Sequence, residues 1–302
     1  MRRLLLKLLA LSAPLLLLVA AVVSAHAIGG VRFIAADRYQ AYRALELAPA
    51  ARAVAFGDSH TALGFRSERD DVYSLAFPAE RLSETALKVR FALSAMPRLR
   101  TVLLQAQPHS LSTRRSGDAR DPYREIFEAI PARLPHWWEL AVDPCCQSEL
   151  VVASFRDLLD VPFGRLVPDI EPNGFARYPD SLGLRGGDLA VAARAEVGKG
   201  LTLDASVQAT YRSVIVMLRA RGVDVALTRY PLTREYRRAV GAEVMDGAER
   251  FLRSLERETG ARSCGGWDAI DDPSLFLNVD HLTPSGASVY WRRTLAPCLT
   301  ED

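Results

Sequence analysis

Three short stretches of the chain hold the residue types most able to do chemistry. The first is Gly57-Asp58-Ser59-His60, which ends the apolar run Val54-Ala55-Phe56. The second is Gln105-Ala106-Gln107-Pro108-His109, and the third is Asn278-Val279-Asp280-His281-Leu282. A serine hydroxyl is a weak nucleophile until a base takes its proton. Histidine is the usual base, and a carboxylate usually orients it. The chain has five histidines: His26, His60, His109, His136 and His281. His26 lies in an N-terminal apolar segment. His136 sits in the aromatic patch Pro135-His136-Trp137-Trp138 and reads as a packing residue. His60 directly follows Ser59, and neighbours in sequence seldom turn their side chains toward each other, which disfavours it as the base. His281 has Asp280 beside it and a helix start behind it, a setting that suits a fixed imidazole. A plainer reading exists for each stretch: Asp58 or Ser59 capping the next helix, and Asp280-His281 as a structural pair.

These residues need elements to hold them. Apolar strands are expected at Arg52–Phe56, Asp71–Ala76, Thr101–Ala106 and Val223–Thr228, with a last short one at Trp267–Ile270. Thr101–Leu104 is nearly continuously apolar, as in strands covered on both faces. Helical spacing runs through Leu82–Met96, Ser206–Arg221 and Glu235–Glu258. Thr283-Pro284 reads as an N-cap followed by proline at the first helical position, opening a helix to about Leu295. Strands separated by helices predict an α/β fold, a parallel sheet with helices on both faces. All three chemical stretches then lie at the carboxyl ends of strands or in the loop before the last helix, where such sheets bind ligands. Arg229, after the fourth core strand, also lies at that end and reads as a structural residue, with contact to an anionic sugar as the alternative. The proline-rich stretch 108–200 breaks the pattern and reads as an insertion above the sheet, with modest helices near Tyr123–Arg133 and Glu149–Leu159.

The N-terminus stands apart from this domain, which is expected over 35–302. Arg2, Arg3 and Lys7 precede the uncharged, mostly apolar run Leu8–Val23, and Ala25-His26-Ala27 fits a signal-peptidase site. Residues 1–28 therefore read as a signal peptide or as a membrane anchor, with the apolar length of residues 8–28 near the span of a bilayer. Either places the rest of the chain outside the cytoplasm, periplasmic or secreted, where Cys145, Cys146, Cys264 and Cys298 can be oxidised; their pairing stays open among three connectivities. No zinc-ligand spacing appears, so no metal is expected. The 302 residues are 49% hydrophobic, enough for one sizeable core. Lys plus Arg number 38 and Asp plus Glu 36, and no basic stripe marks a nucleic-acid partner.

The turn Gly57-Asp58-Ser59-His60 after a first strand, with the late segment Asp280-His281-Leu282 followed by Gly286-Ala287, resembles the SGNH/GDSL hydrolase superfamily. The likeness is greatest to its extracytoplasmic branch, linked to O-acyl groups on polysaccharides. The resemblance implies a flavodoxin-like three-layer α/β/α fold with Ser59 as nucleophile and His281 as its base. It also implies an oxyanion site at the Gly57-Asp58-Ser59 turn, with the Ser59 N–H as one donor. Further donors in the family are a glycine after the second strand and an asparagine after the third. Here Ser74-Leu75-Ala76-Phe77-Pro78-Ala79 has no glycine, and Gln107 stands where the asparagine is sought. The family's aspartate three residues before the histidine is Asn278 here, so Asp280 or Asn278 would orient His281. The implied function is a serine esterase or O-acyltransferase acting on small acyl esters, most simply acetyl, of an extracytoplasmic carbohydrate. It needs no cofactor. The alternative is a non-catalytic member of the fold that binds polysaccharide or assists export from a membrane tether.

Overall fold

A computed structural model describes residues 50–119, 127, 169–171, 174–177, 188–198 and 200–299. The N-terminal segment, the helix expected near 149–159, all of the helix expected near 123–133 except Phe127, and His136, Cys145 and Cys146 lie outside the described residues. Among the described residues, no helix is long and apolar enough to cross a membrane.

The chain enters the sheet at β1 (Ala53–Phe56) and turns through the short helix α1 (Ser59–Gly64) to β2 (Val72–Ser74). Helix α2 (Leu82–Ala95) leads to β3 (Thr101–Gln105). After two 3₁₀ turns at Pro108–Leu111 and Thr113–Arg115 comes an antiparallel pair, β4 (Asp169–Ile170) and β5 (Ala176–Arg177). Helices α3 (Leu189–Val197) and α4 (Ala205–Ala220) precede β6 (Asp224–Thr228). Then follow α5 (Arg234–Val240), α6 (Ala242–Thr259), β7 (Arg262–Cys264), α7 (Pro284–Tyr290), a π-helical turn at Trp291–Leu295 and α8 (Ala296–Leu299).

Strands β2, β1, β3, β6 and β7 lie side by side in that order, every neighbouring pair parallel. Alternation along β1 explains why helices cover both faces. Successive side chains on a strand point to opposite sides. Val54 and Phe56 therefore join Val102, Leu104, Val225 and Leu227 in one core with Leu87 of α2, Leu218 of α4 and Leu252 of α6. Ala53 and Ala55 join Leu103 and Ala226 in a second core with Phe65, Tyr290, Trp291 and Leu295. Both faces are apolar, so the strands read as continuous runs rather than alternating ones.

Two expectations need correction. The last strand is Arg262–Cys264, not Trp267–Ile270: its residues pair with Ala226, Leu227 and Thr228 at the sheet edge. An edge strand keeps one side open, which is why polar Arg262 and Ser263 serve there. Trp267 is buried instead in the following turn, its indole N–H donating to the Ala106 carbonyl. The long helix expected over Glu235–Glu258 is two helices, because Gly241 takes φ +90 and ψ 149 between them, a conformation glycine tolerates without penalty.

Cys264 on β7 is disulfide-bonded to Cys298 on α8, across 34 residues of sequence. This ties the sheet edge to the C-terminal helix beyond the third chemical stretch. Removing it with Cys264→Ser is expected to cost about 2–4 kcal/mol, because the crosslink restricts the unfolded chain. Thermal unfolding of the variant, and of the wild type under reductant, checks this. Equal melting temperatures with and without the bond would contradict it.

Candidate active site

Ser59 is placed by three local facts. β1 stops at Phe56, and Gly57 then packs against Gln105 so closely that a Cβ there would lie 2.3 Å from Gln105 Oε1. Without a side chain at Gly57, Gln105 Oε1 can accept from the Asp58 backbone N–H at 2.9 Å and from Thr61 Oγ1 at 2.8 Å. Asp58 then caps α1, its Oδ1 accepting from the His60 N–H at 3.0 Å. Ser59 becomes the first residue of that helix, half-buried, with a backbone N–H that has no partner within the helix itself.

His281 is placed by a tightly closed loop. Phe276 and Leu282 bridge as an antiparallel pair, and the Leu277 N–H donates to the His281 carbonyl at 2.8 Å. Thr233 grips the loop from α5's N-cap, its Oγ1 donating to the Val279 carbonyl at 2.6 Å. The Asn278 side-chain oxygen accepts from the backbone N–H groups of Asp280 and His281 at 3.1 and 2.8 Å. Behind the loop, Thr283 caps α7, with Pro284 at the first helical position.

The two stretches meet although 222 residues separate them in sequence. His281 Nε2 lies 2.8 Å from Ser59 Oγ. On the other side of the ring, Nδ1 lies 2.8 Å from Asp280 Oδ1 and 3.1 Å from Asn278 Oδ1. Asp280 is 3% exposed as a side chain and His281 13%, so the serine side faces outward and the carboxylate side inward. Burial works against the Asp280 charge, but His281 and His60 opposite it hold the carboxyl well below the usual carboxylate range. A carboxylate at Nδ1 fixes that nitrogen as the N–H and leaves the Nε2 lone pair toward Ser59.

Around this line lies a buried polar cluster that pattern reading did not assign. Asp58 is its hub. Oδ1 accepts from Gln105 Nε2 at 2.8 Å and faces His60 Nδ1 at 3.0 Å. Oδ2 faces His109 Nε2 at 2.7 Å and accepts from Arg115 Nη2 at 2.9 Å. Burial disfavours this charge, yet His109 and His60 outweigh it and hold Asp58 well below its ordinary value. Burial pushes His109 down to about 4 despite Asp58, so it is a neutral donor. A cavity of about 20 Å³, room for roughly one water, is lined by Asp58, Gln105 and Arg115 together with Leu82, Leu104 and Tyr211. Gln105 had a readable signal: it is the polar end of a wholly buried strand. Arg115 and His109 had none beyond their place after β3.

Gln107, expected as an oxyanion donor, has another task. Its Nε2 donates to the Tyr230 carbonyl at 2.9 Å, and the side chain is fully buried. That amide braces the turn after β3 against the turn after β6. Arg229 likewise serves structure, pairing with Glu249 at 2.7 Å and stacking over Trp267. In the stretch after β2 where a glycine was sought, Ala79 takes φ +61, the left-handed region a side chain adopts only with strain.

Asp58 with His60 and His109, and His60 with Asp280 and His281, group donor atoms within 4.8 Å of one another. Asp58 already meets two side-chain donors on each oxygen, one of them the Arg115 guanidinium, which disfavours a cation there. No protein-family model matches the chain, and no characterised protein matches it either.

Proposed function

We propose that this chain is a serine esterase or O-acyltransferase of the SGNH type, acting on small acyl esters of a carbohydrate outside the cytoplasm. The observation that carries the reading is the line Ser59 Oγ, His281 Nε2, His281 Nδ1, Asp280 Oδ1, with 2.8 Å at each end. The sheet order supports it. Counting only sheet strands, the order is 2-1-3-4-5, that of flavodoxin-like folds, whose ligands bind where the strand order reverses. Ser59 stands at that reversal, beyond β1 and beside β3. The Cys264–Cys298 disulfide fits an oxidising compartment. The carbohydrate and the acyl group rest on the sequence resemblance.

A reaction of this class fits the geometry. Ser59 Oγ attacks the ester carbonyl carbon as its proton passes to His281 Nε2. Asp280 balances the imidazolium that forms, and Asn278 holds the loop. The oxyanion faces the Ser59 N–H at the start of α1, where preorganised donors act most strongly. Collapse breaks the ester C–O bond, and the leaving alkoxide takes the proton from His281. Water, or the hydroxyl of an acceptor sugar, then attacks the acyl-serine with His281 again as base. Water yields the free acid; a sugar hydroxyl yields a new ester.

The division of labour between the two candidates for orienting His281 is measurable. Asp280→Ala is expected to lower kcat roughly 10³- to 10⁴-fold, as loss of a triad carboxylate does. Asn278→Ala removes a neutral contact and is expected to cost only about tenfold. Equal losses would mean that the carboxylate is not the orienting group.

The reading itself is tested with the full-length chain, a fluorophosphonate and an aryl acetate. Mass spectrometry is expected to place the label on Ser59, and acetylated polysaccharides are expected to release or exchange acetate. A chain that neither labels nor exceeds the Ser59→Ala background would sink the enzyme and leave the non-catalytic binding role.

A further inference from the structure

His60 lies outside the line from Ser59 to Asp280, yet it is buried in the site between two carboxylates. Its Nδ1 is 3.0 Å from Asp58 Oδ1, and its Nε2 is 3.4 Å from Asp280 Oδ2, an ion-pair separation rather than a tight hydrogen bond. The ring stacks on His281 with centroids 4.3 Å apart and planes 28° apart. His109 lies at the same centroid distance, tilted.

A neutral imidazole has one N–H, and its other nitrogen carries a lone pair. With carboxylates at both nitrogens, a neutral His60 would turn that lone pair on a buried negative charge. Protonated at both, it offers a donor to each. The charges of the cluster then balance: Asp58 and Asp280 negative, His60 and Arg115 positive, His109 a neutral donor. Tyr236 is within electrostatic reach of both carboxylates.

We propose that His60 is a positioning residue, an imidazolium clamped between Asp58 and Asp280 that holds Asp280 for His281. This rests on the Ser59–His281 reading. The clamp acts through the carboxylate: by engaging Oδ2 it fixes Asp280 so that Oδ1 meets His281 Nδ1. Burial alone would lower the His60 value, but Asp58 and Asp280 raise it to about 9, in keeping with a charged ring at neutral pH.

Two measurements on the full-length protein test this. In the wild type, the histidine Cε1–H NMR signal that disappears in His60→Gln is expected to titrate near pH 9; titration at or below about 6.5, the ordinary histidine value, overturns the clamp. In kinetics, His60→Ala and His60→Gln are expected to lower kcat roughly 10- to 100-fold as the base loses alignment, with KM little changed and His60→Gln the milder. A loss that falls on KM as much as on kcat, or that His60→Gln does not relieve relative to His60→Ala, reduces His60 to packing and overturns its role. Should either variant misfold, the wild-type titration still decides the clamp. A wild type no faster than Ser59→Ala sinks the esterase reading and the kinetic role together; an active wild type whose His60 variants keep full kcat sinks this inference alone.

Discussion

Replacing Ser59 by alanine is expected to lower kcat/KM for an aryl acetate by at least about 10³-fold and to abolish fluorophosphonate labelling. His281→Ala should cost nearly as much, since a serine hydroxyl without a base is a poor nucleophile. The informative variant is the double one. On the proposed function Ser59 and His281 act as a unit, so removing both should cost little more than removing either. Two independent contributions would instead multiply. Steady-state kinetics on the three variants, with circular dichroism showing native folding, decides between them. The labelling rate of His281→Ala gives a second view: Ser59 is still presented at the end of β1, so only its activation is lost. Strong labelling in that variant would mean that another group deprotonates the serine.

Asp58→Asn should have the largest effect on stability. The carboxylate faces His60, His109, Gln105 and Arg115, and it is buried. Breaking a buried ion pair by removing one partner costs about 3–5 kcal/mol, because the other charge is left unpaired. At roughly 2–4 °C per kcal/mol for a domain of this size, melting should fall by ~6–20 °C. The pH dependence follows with its sign. Asp58 titrates below its ordinary value, so its contribution is present above pH ~4 and is lost as pH falls further. His60 titrates above its ordinary value, at about 9. Its contribution is complete below pH ~6.5 and is lost as pH rises through about 9. The wild type should therefore melt progressively lower from pH 7 to pH 10. Asp58→Asn removes one of the two carboxylates that hold the His60 proton, so its alkaline decline should be shallower. Thermal scans across pH check both points. A variant that melts with the wild type would contradict the hub role of Asp58.

The sheet was legible because its inner strands are apolar on both faces. Ala53–Phe56, Thr101–Gln105 and Asp224–Thr228 needed only a strand length and a following helix to be read. The edge was not: Arg262-Ser263-Cys264 looks polar because its open side needs no apolar cover. Gly241 was missed because helical periodicity continues across it, while the break is a matter of backbone angle. In the site, Ser59 and His281 could be singled out by residue type and flanking turns. Asp280 and Asn278 could both be named, but only the loop's closure shows one at the ring and the other holding the backbone while also touching it. His60 shows the limit of reasoning from adjacency. The rule that neighbours diverge kept it from Ser59, but nothing in the sequence says that divergence sends it between Asp58 and Asp280. Gln107 shows the converse, since a position after the third strand does not reveal which way an amide turns.

The junction of Ser59 with His281 also bears on how the chain reaches its folded form. Helices such as α4 and α6 can form from local contacts, and local contacts form fast. The 2.8 Å contact closes across 222 residues, and it needs parallel strands that are themselves paired over long separations. Contacts of that kind carry the full entropy of loop closure before they return any stabilisation. On the proposed function, esterase activity should thus be among the last properties gained in refolding, trailing the helical signal. Hydrolysis of an ester would then report the completed fold rather than its early stages.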